Sequence, residues 1–215
     1  MDVQLRVAEF EVPKTARYAV LQPERPVGRI WALHGYGQLP EFFLRRFRAA
    51  AEAGWEVVAP EGLHRFYLEG TSGRVGASWM TKEARESDMA DYVRYLNALH
   101  AALPALEGPS VLLGFSQGVA TAARWACRGS VTFDAHVFWA GVFPPDLDLG
   151  QEVAPLRKVP TWVVLGDADP YFQSDLLHAA SERFALAGID HDLVRFQGAH
   201  HMDEAALGQI LSALD

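Results

Sequence analysis

The sequence predicts an α/β fold: a mostly parallel sheet with helices on both faces. Two observations point there. Short apolar runs of the kind that buried strands show alternate with segments whose apolar residues recur at helical spacing. No internal repeat or low-complexity linker interrupts that alternation. Successive β-α-β units in one sheet cross over right-handedly and cover both its faces.

The elements follow in order. Residues 3–12 and 17–21 read as two strands around Pro13-Lys14-Thr15, which predicts an N-terminal antiparallel hairpin. Residues 30–33 form a buried strand, and 41–53 a helix with Phe43, Phe47, Ala50 and Ala51 inward, ended by Gly54. A strand at 55–59 leads into a polar, glycine-rich stretch over 60–81. That stretch is too long for a passive connection and is expected to cover or shape a site. The helix over 84–103 carries Met89, Tyr92, Val93, Leu96, Leu99 and Leu103 as one stripe. Strands at 110–115, 135–139, 161–165 and 193–196 then alternate with helices at 117–127, 175–187 and 203–214.

At 215 residues, half of them hydrophobic, the chain suits one domain over 1–215, with no room for a large lid domain. Its formal net charge of −8 repels phosphate backbones and anionic lipids, so no nucleic-acid partner is expected. The cluster Arg45, Arg46 and Arg48 reads as a solvated helix face. No stretch approaches the ~18 apolar residues that span a bilayer, so no membrane insertion is expected. The first residues lack a basic region followed by an apolar run, and the single cysteine, Cys127, reads as a reduced core thiol. Both suggest a cytoplasmic protein. A monomer or homodimer is expected.

Chemistry concentrates at Gly114-Phe115-Ser116-Gln117-Gly118, a complete G-x-S-x-G between an apolar strand and a good helix start. In such a tight turn, side chains at 114 and 118 would clash with each other or with a neighbouring strand. The strain holds the serine hydroxyl at the top of the sheet. Ser116 is therefore the candidate nucleophile. A serine at neutral pH needs a base, and the base an orienting acid. In Gly166-Asp167-Ala168-Asp169, Asp169 lies far enough into the turn to swing toward a base, and Asp167 better suits tying the turn together. The base lies in Gly198-Ala199-His200-His201; adjacent histidines are not expected both to face one serine. The pair has no third ligand at sensible spacing, so no metal and no cofactor is expected. The oxyanion donors expected are the Gln117 N–H and, in His34-Gly35-Tyr36-Gly37, the Tyr36 N–H; His34 reads as structural.

Leu33-His34-Gly35-Tyr36-Gly37, the serine motif, Gly166-Asp167-Ala168-Asp169 and Gly198-Ala199-His200 together resemble the phospholipase/carboxylesterase family of small α/β-hydrolases, which includes acyl-protein thioesterases. The likeness covers nearly the whole chain in order. It implies the α/β-hydrolase fold, with Ser116, Asp169 and His200 as a triad and Tyr36 and Gln117 as oxyanion donors. Glu204, four residues past His200, fits the family's pattern. The chain departs from the family at Tyr36, Trp139 and Phe143 and carries Trp79 and Met80 in the long loop. Trp79, Met80, Trp139 and Phe143 are therefore the candidate substrate-binding residues, expected to close the pocket around small-to-medium acyl esters. The alternatives are a thioesterase or lysophospholipase acting on longer chains, or a non-catalytic ligand-binding protein on the same scaffold.

Overall fold

The computed structural model describes residues 3–171 and 182–214. Nine strands and five helices are labelled in chain order. They are β1 (Tyr18–Leu21), β2 (Gly28–Leu33), α1 (Pro40–Phe43), α2 (Arg48–Glu52), β3 (Trp55–Pro60), β4 (His64–Tyr67) and β5 (Val75–Ser78). After them come α3 (Arg85–Ala102), β6 (Ser110–Phe115), α4 (Gln117–Arg128), β7 (Ala135–Trp139), β8 (Thr161–Gly166), β9 (Asp192–Phe196) and α5 (Glu204–Ser212). The main sheet runs β1-β3-β2-β6-β7-β8-β9. All its pairings are parallel except β1 with β3.

The central strands are buried on both faces, and their alternation divides the core. Trp31 and Leu33 of β2 join the layer beneath α3 and α4, with Tyr92, Leu96, Ala122 and Trp125. Ile30 and Ala32 join the opposite layer, with Phe43, Phe47, Leu207 and Ile210 from the α1, α2 and α5 side. The α3 stripe packs as expected through Met89, Tyr92, Val93, Leu96 and Leu99.

Three expectations are corrected. The N-terminal hairpin does not form: residues 3–17 carry no strand, and β1 pairs with β3 instead, Tyr18 opposite Pro60 and Leu21 opposite Val57. The alternating apolar residues before it stay in solvent, Val3 at 95% and Phe10 at 90% exposure. Alternation says which side chains share a face; it does not supply a surface to receive that face. The segment lies along α3 through Glu9–Ser87 and Glu11–Arg94 contacts.

The helix over 41–53 is broken into α1, a 3₁₀ turn at Leu44–Phe47, and α2. In a 3₁₀ turn residues three apart eclipse, which brings Leu44 and Phe47 onto one line into the core. The long loop holds a hairpin of its own, β4 with β5, whose tip turns through Gly70 and Gly73 at φ +59° and +91°. Of the expected helix over 175–187, residues 175–181 lie outside the described residues; 182–186 are helical.

Candidate active site

Ser116 stands between β6 and α4 with φ +54° and ψ −118°, a conformation L-residues avoid. Neighbouring glycines make it possible. A Cβ on Gly114 would lie 2.4 Å from the Gly118 carbonyl oxygen, and one on Gly118 only 2.1 Å from that of Leu33. The Ser116 N–H donates to the Trp139 carbonyl at 2.8 Å, which pins the turn to β7.

His200 Nε2 lies 3.0 Å from Ser116 Oγ, and its Nδ1 lies 2.7 Å from Asp169 Oδ2. Two loops make this meeting possible. The Asp167 N–H donates to the Phe196 carbonyl and the Ala168 N–H to the Gly198 carbonyl, each at 2.9 Å. These bonds lock the turn after β8 against the turn after β9. Gly166 permits the approach, since a Cβ there would sit 2.4 Å from the Gly198 oxygen. The imidazole is further held between two rings, Phe115 at 5.0 Å and Tyr171 at 4.8 Å. The Asp169 side chain is wholly buried, and its second oxygen accepts the Tyr171 N–H at 2.9 Å. Such a chain of bonds can take a proton from a serine hydroxyl and stabilise the imidazolium that results.

The rival residues are engaged elsewhere. Asp167 pairs with Arg195 at 2.7 Å on the surface. It is Asp169, rather than Asp167, whose side chain ties the turn, through the Tyr171 N–H. His201 packs on Phe196 with its Nδ1 against the Met202 carbonyl. Glu204 forms no hydrogen bond or ion pair with His200; it opens α5 behind Asp203, which caps the helix by accepting the Ala206 N–H at 2.8 Å.

The loop after β2 runs beside the serine: a Cβ on Gly35 would lie 3.1 Å from Ser116 Cβ. Gln117 is the first residue of α4, so its N–H has no acceptor within the helix. The Tyr36 N–H has no acceptor among the described residues, and its ring stacks on Phe66. His34 is buried beneath. Its Nε2 accepts the Gly62 N–H, so its Nδ1 carries the proton to the Gly35 carbonyl. Burial pushes its pKa down to about 4.

The hairpin braces both sides of this site, in the stretch expected to cover or shape one. Ala77 exchanges backbone bonds with Gly37 and Gln38, and the Gln38 side chain accepts the Gly35 N–H at 2.8 Å. On the other side the Gln117 carboxamide bonds Ser78, Trp79 and Met80.

The rings expected to bind substrate do not line the site. Trp79 and Trp139 are 0% and Phe143 1% exposed. Trp79 Nε1 donates to the His34 carbonyl and Trp139 Nε1 to that of His201, while Phe143 packs on Phe138 and Phe184. Large rings after buried strands found more area to bury inside than in a pocket. Met80 borders a separate cavity of about 230 Å³ beside Gln117. The groove at His200 measures about 580 Å³ and is walled by Leu39, Phe43, Leu68, Val75, Phe115 and Met202. Arg46, read as part of a solvated face, also lines it; its four-residue spacing from Phe42, another groove residue, was the available signal.

A family model described as serine hydrolase (FSH1) matches residues 25–206. The chain belongs to the FSH1 serine hydrolase family. No curated protein matches the sequence. The structure of this FSH1 hydrolase resembles that of maize acyl-protein thioesterase 2, with a TM-score of 0.73 and 17% identity over 93% of this chain and 98% of that one. It also resembles esterase PE8, at TM-score 0.73 and 20% identity over 94% and 100%. Bacillus cereus carboxylesterase matches at TM-score 0.64 and 15% identity, over 93% of each chain. At these identities the likeness establishes the α/β-hydrolase fold. Among the described residues of the FSH1 hydrolase, no helix is long and apolar enough to cross a membrane.

Proposed function

We propose that the chain is a carboxylesterase that hydrolyses small-to-medium acyl esters through an acyl-enzyme on Ser116. The observation that carries this reading is the unbroken path Ser116 Oγ–His200–Asp169, whose imidazole lines the groove that Leu39, Phe43 and Phe115 also wall. In the mechanism, His200 takes the hydroxyl proton as Ser116 attacks the ester carbonyl. Asp169 holds the imidazolium, and the Tyr36 and Gln117 N–H groups receive the oxyanion. His200 returns the proton to the leaving alkoxide. Water then repeats the cycle on the acyl-enzyme, releasing the acid.

Because Trp79, Trp139 and Phe143 are packed inside, they set no ceiling on the acyl chain; the groove does. Each methylene it covers adds up to about 0.8 kcal/mol, so kcat/KM should climb with chain length and level off when the groove is full. Thioesters use the same acyl-enzyme chemistry. A fluorophosphonate probe, with p-nitrophenyl esters and acyl-CoA thioesters of graded length, tests the proposal. Labelling at Ser116 and ester turnover are expected. An unlabelled serine would leave a non-catalytic binding protein, and thioester preference would move the reading to a thioesterase.

A further inference from the structure

We infer that the groove beside Ser116 selects esters whose apolar portion ends in an anionic group such as a carboxylate, with Arg46 as the specificity-determining residue; this rests on the esterase reading above. The chain carries 27 Asp and Glu against 19 Lys and Arg, so its field as a whole repels anions. The groove departs from that balance. Two arginines, Arg46 and Arg74, line it, and among the described residues no Asp or Glu does.

The two arginines differ. Arg74, on the hairpin, already pairs with Glu69 at 3.1 Å, both groups largely exposed. Arg46, on the 3₁₀ turn after α1, makes no hydrogen bond or ion pair with any described residue, and its neighbour Arg45 instead stacks over Phe42. Arg46 therefore offers an unoccupied planar fork, the shape that matches a carboxylate through two parallel bonds. Phe42, Phe43, Phe115 and Met202 line the same groove as Arg46 and His200, together with the polar Gln38 and His201. An ester lying there with its reacting carbonyl at Ser116 would bury its hydrocarbon portion and present its far end to the guanidinium. The apolar wall rewards length and the arginine rewards charge, so the preferred substrate combines both.

The test compares matched pairs on the full chain. One pair places the charge on the acyl side: the p-nitrophenyl hemi-ester of suberic acid against its methyl-capped form. The other places it on the alcohol side: octanoyl 4-oxybenzoate against its methyl ester. The expected result is a higher kcat/KM for the anionic member of one pair, which also identifies the half of the substrate that occupies the groove. In Arg46→Gln the anionic-to-neutral ratio should fall about three- to fivefold, the scale of an exposed pair. Arg46→Lys should keep part of it, and high salt should shrink it. A ratio at or below one in both pairs, or one that Arg46→Gln leaves unchanged, would overturn the inference while leaving the esterase reading intact. Failure to hydrolyse any of the four esters would overturn both.

Discussion

The Gln117 side chain is bonded to Ser78: its Nε2 donates to Ser78 Oγ at 3.0 Å, and the same nitrogen reaches the Met80 carbonyl at 3.0 Å. Its Oε1 accepts the Trp79 N–H at 3.2 Å. The residue proposed to donate to the oxyanion through its backbone is thus anchored through its side chain to the end of β5. Ser78→Ala should lower kcat about tenfold, because a small displacement of a preorganised donor is costly, with KM changing less than twofold. Steady-state kinetics with a soluble p-nitrophenyl ester check this. A change confined to KM would assign Ser78 to substrate binding instead.

Ser116→Ala should abolish fluorophosphonate labelling and cut turnover by several orders of magnitude, leaving ~10³-fold over water from the oxyanion donors and binding. Ser116→Gly should be equally inactive but more stable by about 1 kcal/mol, since glycine relieves the strain at φ +54°. Urea denaturation of both variants beside the parent measures it, and a glycine variant no more stable than the alanine one would count against stored strain.

The adjacent rivals can be separated by paired substitutions. His200→Ala and Asp169→Asn should each reduce kcat by three or more orders of magnitude, on the scale of the loss when an imidazole adopts the wrong tautomer. His201→Ala and Asp167→Asn should retain most of the activity, because those side chains bond Met202 and Arg195 rather than the serine path. The reverse pattern in either pair would displace the corresponding residue from its proposed role.

Stability should fall in mild acid. Burial pushes the pKa values of His34 and His136 down from 6.5 to about 4. A histidine held neutral in the fold binds its proton more readily when unfolded. Its contribution is complete above pH 6.5 and is lost as pH falls toward 4. His136 is stacked flat against Phe138, and its Nδ1 has no hydrogen-bond partner among the described residues. Replacing it with phenylalanine should therefore flatten the decline in urea midpoint between pH 7 and pH 5. An unchanged slope would show that His136 titrates alike in both states.

The mostly parallel sheet and the segments that carry the site were legible in the sequence; the strand order β1-β3-β2-β6-β7-β8-β9 was not. Apolar runs such as Ile30-Trp31-Ala32-Leu33 state their burial on both faces directly, and the glycines around Ser116 mark a turn that only missing side chains permit. Family resemblance, rather than spacing, singled out His200 from His201; His200 Nε2 lies 3.0 Å from Ser116 Oγ, while His201 Nδ1 lies against the Met202 carbonyl. Other features depend on contacts between segments distant in the chain, which no local pattern encodes. Residues 3–12 alternate as a strand does, yet their apolar side chains Val3, Leu5, Val7, Phe10 and Val12 stay exposed. Trp79, Trp139 and Phe143 lie near the serine in the chain's logic but turn into the core, where burying a large ring is worth more than lining a groove. The brace from β5 to Gln38 and Gln117 and the exposure of Arg46 to the groove likewise arise only when the hairpin and the turn after α1 are brought against the same end of the sheet. Periodicity reports what one element buries; only the packed chain decides what stands opposite it.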